Sequence, residues 1–161
     1  IDGNHENFDL IEKLPIEYWS GGKVQIIKDR IIHLMRGEVY TIQGKTFFCF
    51  GGGQSVDRFY RTLGESWWPQ EMPTKAEQDY GMQNLDKVNN RVDYIITHTA
   101  PRFICKQLVS NMYPGEEDLQ FYLQSISDKV SFKKWFFGHW HMGKMVDEKY
   151  FALFNNVETV D

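Results

Sequence analysis

A succession of short strand-like runs between Val24 and Phe50 is the feature that most constrains the fold of this chain. The runs are VQIIKD, IIHLMRG, EVYTIQG and KTFFCFGGG. They are rich in β-branched and aromatic residues, and glycine or charged residues punctuate them. Because so few residues separate them, we predict three or four consecutive strands, mostly antiparallel. Any fold of this chain must therefore contain a sheet that local hairpins help to build.

Helical and strand-like segments alternate in the rest of the chain. NFDLIEKLP predicts a short helix that ends at Pro15. PTKAEQDYGMQNLDKVNN predicts a second helix, because Thr74 and Glu77 have capping-box spacing, and EEDLQFYLQSISDKV predicts a third. VDYIITHTAP, FKKWFFGHWHMG, KMVDE and YFALFNN predict strands. With 161 residues and 42% hydrophobic content, we expect one α/β domain over residues 1–161.

Charge and cysteine content restrict the cellular setting and the partners. A net charge of -4 without any Lys/Arg block leaves no basic field for a phosphate backbone, so nucleic acid is not favoured as a partner. Cys49 and Cys105 form neither a disulfide framework nor a Cys-x-x-Cys motif, which fits a cytoplasmic protein. No apolar run approaches the ~18 residues of a membrane span, and no signal peptide is visible, so we expect a soluble protein with no membrane partner.

Histidines mark the positions where apolar runs turn into loops. His5, His98 and His139 share this context, and His141 follows two residues after His139. In an extended segment, side chains at i and i+2 project to the same face, so His139 and His141 could reach one metal ion or two adjacent ions. A glycine at 138 would let the backbone turn sharply and a ligand approach closely. This pattern indicates a metal site at the strand ends.

Each of these residues also has a plainer interpretation. A lone histidine such as His98 at a strand end is commonly a surface or hydrogen-bonded residue. Asn4 could cap the following helix, and Glu6 could complement the positive end of that helix. His33 lies inside a strand-like run without a neighbouring glycine or turn, so we assign it to the sheet without a catalytic role. The glycines of FGGGQS precede no Gly-Lys-Ser/Thr and are expected to let the chain pass close to the site.

Three ordered blocks carry a family resemblance that spans almost the whole chain. They are Gly-Asn-His-Glu at 3–6, THTAP around His98, and Gly-His-Trp-His at 138–141. In this combination the chain resembles the calcineurin-like metallophosphoesterase superfamily. Its sequence is further similar to small uncharacterised phosphoesterases of Gram-positive bacteria and their phages. The resemblance implies a two-sheet α/β/β/α sandwich and a metal-dependent hydrolase of phosphate mono- or diesters.

Two blocks of that family are not found in the 161 residues. These are the Asp-x-His block and the Gly-Asp-x-x-Asp block, which in the family precede Gly-Asn-His-Glu/Asp. We therefore expect this chain to be the larger, C-terminal part of a longer protein. The missing carboxylates would ligate one ion and bridge both, so we expect the isolated chain to be inactive.

The resemblance also implies a role for each matching residue. Asn4, His98 and His139 would ligate the second of two divalent ions, and His141 would ligate the first. The ions would be Mn, Fe or Zn, which nitrogen and oxygen ligands without thiolate all suit. A hydroxide bridging them would attack phosphorus.

Protonation of the departing oxygen would fall to His5. This residue adjoins Asn4 in the sequence and is not expected to bind metal. Glu6 would orient its imidazole. The substrate would be a phosphorylated small molecule, a nucleotide or a phosphoprotein.

The long segment 51–73 is the natural place for substrate contacts, since long ordered loops are usually functional. Arg58 and Arg61 are candidate phosphate ligands because of the fork geometry of guanidinium. Aromatic residues could form a rim over the metals, or Trp67 and Trp68 could instead pack the loop onto the domain. Two other classes of function remain open: a non-catalytic binding module that kept the fold, and a hydrolase with one transition metal on Asn4, His98 and His139.

Overall fold

The computed structural model describes residues 1–110 and 114–160, and over these residues it is a mixed α/β protein with two sheets. The nine strands are β1 (Ile16–Trp19), β2 (Gly22–Lys28), β3 (Ile31–Leu34), β4 (Glu38–Ile42), β5 (Lys45–Phe50), β6 (Tyr94–Thr97), β7 (Lys134–Phe137), β8 (Lys144–Met145) and β9 (Tyr150–Ala152). The four α-helices are α1 (Phe8–Ile11), α2 (Lys75–Lys87), α3 (Arg102–Leu108) and α4 (Glu117–Lys129). The prediction of an α/β fold is confirmed.

The smaller sheet is antiparallel, in the order β1-β2-β3. The larger has the order β4-β5-β6-β7-β9-β8, with parallel pairing from β5 through β9 and antiparallel pairs at both edges. The segment from Val24 to Phe50 thus supplies four strands in two hairpins, as predicted. Strand β1 was not predicted, because all four of its residues are exposed and give no alternating pattern.

Two-residue turns close two of the hairpins. Gln43 and Gly44 join β4 to β5 with φ of 49° and 77°, and Ser20 and Gly21 join β1 to β2 with φ of 51° and 96°. A pair of positive φ values matches the backbone twist of adjoining antiparallel strands, and glycine adopts it without steric cost. These turns fix the register of both hairpins.

The larger sheet contacts a different layer on each face. In β5, Phe48 and Phe50 pack into a core cluster with residues of α2, α3 and α4. The alternate residues Phe47 and Cys49 pack into a second cluster that includes Val24 of β2. Successive side chains of a strand point to opposite faces. The larger sheet is therefore covered by helices on one face and by the smaller sheet on the other.

The two long helices are confirmed, and one shorter helix was not predicted. In α2, the Thr74 side chain accepts a hydrogen bond from the Glu77 N–H while Glu77 bonds back to Thr74, which is the predicted capping box. Helix α3 follows Pro101 directly and has no side-chain cap, so the sequence carries no start signal for it beyond the proline. Within the described ranges, no helix is both long and apolar enough to cross a bilayer.

Candidate functional site

The predicted ligands His98 and His139 lie at the carboxyl ends of neighbouring parallel strands, whereas Asn4 and His5 lie in the N-terminal segment before α1. Gly51 follows β5, His98 follows β6, and Gly138 and His139 follow β7. Parallel strands bring their carboxyl ends to one edge of a sheet, which is the usual place for ligand sites in α/β proteins. A cavity of about 420 Å³ opens there, and its lining includes Asn4, His5, Glu116, His139, Trp140 and His141.

Asn4, which is buried, and His98 and His139, which are half-buried, form the centre of this region. The Asn4 Oδ1 atom lies 2.9 Å from His98 Nε2, and the rings of His98 and His139 have centroids 5.0 Å apart. Burial, followed by the neighbouring His139, lowers the pKa of His98 to about 3. Burial also lowers the pKa of His139, against the opposing effect of Glu116. Both imidazoles are therefore neutral at neutral pH, which is the form that ligates metals.

Glycines allow the backbone to approach His98 from two sides. A Cβ atom on Gly3 would lie 2.8 Å from His98 Cε1, and one on Gly53 would lie 2.9 Å from His98 Cδ2. Real Cβ atoms do not come so close, so both positions need glycine. The prediction that FGGGQS passes close to the site is confirmed. A Cβ on Gly138 would meet nothing nearer than 3.9 Å, so close approach does not explain that glycine.

His139 and His141 do not lie in an extended segment. Their φ angles are 67° and 51°, in the left-handed region that non-glycine residues rarely adopt. The expectation that an extended backbone would put both side chains on one face was therefore wrong. Both residues nevertheless line the cavity, with the His141 ring stacked on Phe154 at 5.2 Å. Uncommon backbone conformations of this kind cluster at functional sites.

Glu116 supports His139, and sequence reasoning did not single it out. Its carboxylate is 4% exposed, and Oε1 lies 3.4 Å from His139 Nε2. Neighbouring donors satisfy the same carboxylate: the Gln54 N–H at 2.9 Å, the Thr99 hydroxyl at 3.0 Å and the Gln120 amide at 2.8 Å. An acidic residue at the start of a helix is ordinarily explained by the helix dipole, so the sequence offered no signal for this role.

A second buried carboxylate, Glu71, reaches Asn4 through Ser55. Glu71 accepts hydrogen bonds from the Ser55 N–H at 2.8 Å and the Ser55 hydroxyl at 2.6 Å. The Asn4 Nδ2 group in turn donates to Ser55 Oγ at 3.2 Å. Sequence reasoning noted the glycines before Ser55 but neither of these two residues. The glycine-rich run after a strand was the only available signal.

His5 and Glu6 do not form the expected pair. His5 is exposed at the cavity, and its Nε2 atom lies 3.3 Å from Asn4 Nδ2. Glu6 instead accepts a hydrogen bond from the Gly3 N–H at 3.1 Å. Asn7, not Asn4, caps α1 by accepting a hydrogen bond from the Leu10 N–H. The capping explanation for Asn4 was therefore wrong.

Residues 1–110 and 114–160 contain no group of three or more His, Cys, Asp or Glu side chains arranged to hold a metal ion. Asparagine is not one of these four residue types, so this statement does not cover the Asn4 amide. Comparison with known proteins found no matching family model, no matching curated protein and no matching solved structure.

The two arginines of the long loop lie outside the cavity lining. Arg61 forms a bidentate ion pair with Asp57, at 2.7 Å from each carboxylate oxygen, and it is Asp57 that lines the cavity. Arg58 lies over the Phe59 ring and lines a separate cavity near Pro73. Their role as phosphate ligands stays a prediction. Trp68 is 5% exposed and packs the loop onto the domain, which was the alternative to a rim of aromatics.

His33 lies in β3, as predicted, and does not line the cavity. Its ring bonds Gln25 Oε1 at 2.9 Å and Asp2 Oδ1 at 3.1 Å. Arg36 also pairs with Asp2, through Nε at 2.8 Å. Asp2 is thus committed to ion pairs away from the cavity.

Proposed function

We propose that this chain forms most of a calcineurin-like metallophosphoesterase domain that hydrolyses phosphate mono- or diesters. The observation that carries the proposal is the convergence of Asn4 Oδ1 and His98 Nε2 at 2.9 Å beside the His139 ring. These residues come from three distant parts of the sequence, and a sheet edge brings them together. One layer of helices and two facing sheets match the α/β/β part of the α/β/β/α sandwich of that superfamily.

The donor set fits a divalent ion. Asn4 Oδ1 and His98 Nε2 lie within hydrogen-bond distance of each other, at 2.9 Å, so an ion that replaced this contact would find one oxygen and one nitrogen donor there. We propose that these two residues and His139 hold one ion and that His141 belongs to a second. Nitrogen and oxygen donors suit Mn, Fe or Zn. A two-ion site also needs anionic ligands, and none of these four residues supplies one.

Divalent ions would neutralise the phosphoryl oxygens and make water acidic enough to attack at neutral pH. The chain's own residues supply the remaining steps. Glu116 holds His139 in place through its contact with Nε2. His5, exposed at the cavity, protonates the departing oxygen, and it does so without Glu6 as an orienting partner.

The cavity suits a phosphorylated small molecule or a nucleotide. A volume of about 420 Å³ lies within the range of small-molecule sites. Among the described residues, the lining contains no Lys or Arg side chain, and the carboxylate of Asp57 is already paired with Arg61, so the cavity offers no basic surface to a polyanion such as nucleic acid. A phosphoprotein could present one phosphorylated side chain to the same opening.

A non-catalytic binding module is the second candidate. It is favoured by the finding that the part of the chain that the structure describes holds no group of three His, Cys, Asp or Glu ligands. In that case the cavity would bind a ligand without hydrolysing it.

Activity of the protein encoded in full separates the two candidates. We expect Mn²⁺-dependent hydrolysis of p-nitrophenyl phosphate or bis-p-nitrophenyl phosphate, and loss of at least ~100-fold in His98→Ala and Asn4→Ala. His33→Gln, checked for folding, is the control and should stay within a few-fold of the wild type. No hydrolysis above background by the full protein with Mn²⁺, Fe²⁺ or Zn²⁺ would favour the binding module.

A further inference from the structure

We propose that Glu71 is a positioning residue that decides which atom of the Asn4 amide faces His98. It acts through Ser55, and the inference rests on the proposed function because it assigns Asn4 Oδ1 to the metal side. Only the oxygen of an amide can ligate a cation, since the NH₂ group has donors only. An amide turned by 180° would therefore be useless as a ligand even if its side chain did not move.

The polarity of the relay begins at the buried carboxylate of Glu71. Glu71 is 1% exposed, and an ionised carboxylate can only accept hydrogen bonds. Ser55 is also 1% exposed. It donates two hydrogen bonds to the Glu71 carboxylate, one from its N–H at 2.8 Å and one from its hydroxyl at 2.6 Å. Hydrogen bonds to an ionised acceptor are the shorter and stronger kind.

The Ser55 hydroxyl has only one hydrogen, so the acceptor that takes this hydrogen determines the direction of the other hydrogen bonds of Ser55 Oγ. The Asn4 carbonyl oxygen lies 3.0 Å from Ser55 Oγ, but the shorter contact to charged Glu71 takes the hydrogen. Ser55 Oγ can therefore only accept from the Asn4 side chain. The atom at 3.2 Å must be the amide nitrogen, which leaves Oδ1 to face His98 Nε2 at 2.9 Å.

Glu71 has no ion-pair partner to explain its burial. Among residues 1–110 and 114–160, no cationic side chain lies within 4.0 Å of its carboxylate. A buried carboxylate without a counter-ion is costly unless hydrogen bonds or function compensate. Its backbone is fixed too, because its carbonyl accepts from the Gly53 N–H at 3.1 Å. Glu71 is thus held rigidly against the segment that carries Ser55.

The test uses Glu71→Gln, which keeps the shape but adds an NH₂ group that can donate to Ser55 Oγ. The Ser55 hydroxyl would then donate either to the Asn4 side chain, which requires the amide to turn, or to the Asn4 carbonyl oxygen at 3.0 Å, which would leave the amide in place and overturn the proposal. Ser55→Ala removes the relay, and the double variant combines both changes. Glu38→Gln is the matched control. Glu38 is also a buried carboxylate, 6% exposed, and it accepts a hydrogen bond from the Tyr80 hydroxyl, but it does not line the cavity.

The primary readout is the side-chain amide signal of Asn4 in ¹⁵N-labelled, metal-free 161-residue protein, assigned by its absence in Asn4→Asp. In Glu71→Gln and in Ser55→Ala we expect a shifted signal and solvent exchange of the amide protons at least ~10-fold faster. The double variant should match Ser55→Ala, because Glu71 acts only through Ser55. An unchanged Asn4 signal in folded Glu71→Gln, or additive effects in the double variant, would overturn the proposal.

Metal affinity gives an independent second readout. In the protein encoded in full, Mn²⁺ affinity should fall ~10–100-fold in Glu71→Gln and stay unchanged in Glu38→Gln. A wild-type protein that binds no Mn²⁺ would contradict the proposed function, and the Asn4 signal would still decide the role of Glu71. Equal affinity in Glu71→Gln and wild type would overturn the assignment of Asn4 Oδ1 to the metal side.

Discussion

At the scale of single residues, two glycines of the site differ sharply in what they tolerate. A Cβ on Gly53 would lie 2.9 Å from His98 Cδ2 and 3.5 Å from His139 Cε1, whereas one on Gly138 would lie 3.9 Å from its nearest neighbours. Gly53→Ala should therefore displace His98 and lower the free energy of unfolding by about 1–3 kcal/mol. Gly138→Ala should change it by less than ~1 kcal/mol. Urea unfolding measures both, and equal losses would contradict the steric explanation.

His5 offers a test of proton transfer. Its imidazole is exposed at the cavity, with Nε2 at 3.3 Å from Asn4 Nδ2. In the full protein, His5→Ala should reduce turnover ~10²–10⁴-fold for an alkyl phosphate, whose leaving oxygen needs a proton. The loss should be much smaller for p-nitrophenyl phosphate. Steady-state kinetics on the two substrates decide the matter, since equal losses would remove the general-acid role.

At the scale of elements, Asp93 joins the starts of three strands. Its carboxylate accepts from the Thr46 N–H at 2.9 Å and pairs with Lys133 Nζ at 2.7 Å. The contacts with Lys133, first, and with Thr46 lower the pKa of Asp93 from 3.8 to about 2. The folded state thus gains stability above pH 3.8 and loses it as the pH falls towards 2.

Asp93→Asn should therefore cost about 1 kcal/mol of unfolding free energy at pH 7. The difference from the wild type should shrink as the pH falls from about 4 to about 2. Urea unfolding of both proteins across this range measures it. A difference that persists unchanged at pH 2 would show that the charge of Asp93 is not the cause.

Elements with strong local signals were predictable, and those held by tertiary contacts were not. The capping box of Thr74 and Glu77 predicts α2, and apolar runs predict β5 and β6. All four residues of strand β1 are exposed, and the strand pairs only with β2, so its pairing partner, not its own pattern, makes it a strand. Local sequence cannot report such a partner.

At the scale of the whole molecule, the ligand set limits what the chain can bind. The proposed ligands Asn4, His98, His139 and His141 include no carboxylate, and the described residues hold no group of three His, Cys, Asp or Glu side chains arranged for a metal ion. We predict that the 161-residue chain binds at most one Mn²⁺ weakly and shows no hydrolysis above background. Calorimetry that finds two tightly bound ions per chain would contradict this.

The site was predictable where its residues form motifs in the sequence, and not where they support those motifs from a distance. Asn4, His98 and His139 were named because each sits in a short distinctive block. Glu71 lies 67 residues after Asn4 in the sequence. Glu116 lies 23 residues before His139. A carboxylate that acts by reaching across the fold has no pattern of its own in a single sequence.

The position of this site on three parallel strands also couples it to folding. Ser55, His98 and His139 follow β5, β6 and β7, and 43 and 41 residues separate them along the chain. Contacts of such sequence separation form late, since the loop-closure cost must be met before the contacts can compensate it. The contact between the His98 and His139 rings can therefore serve as an internal indicator of the native sheet. An event that frees β7 from β6 would separate these rings, while helices α2 and α4 could still be detected by circular dichroism.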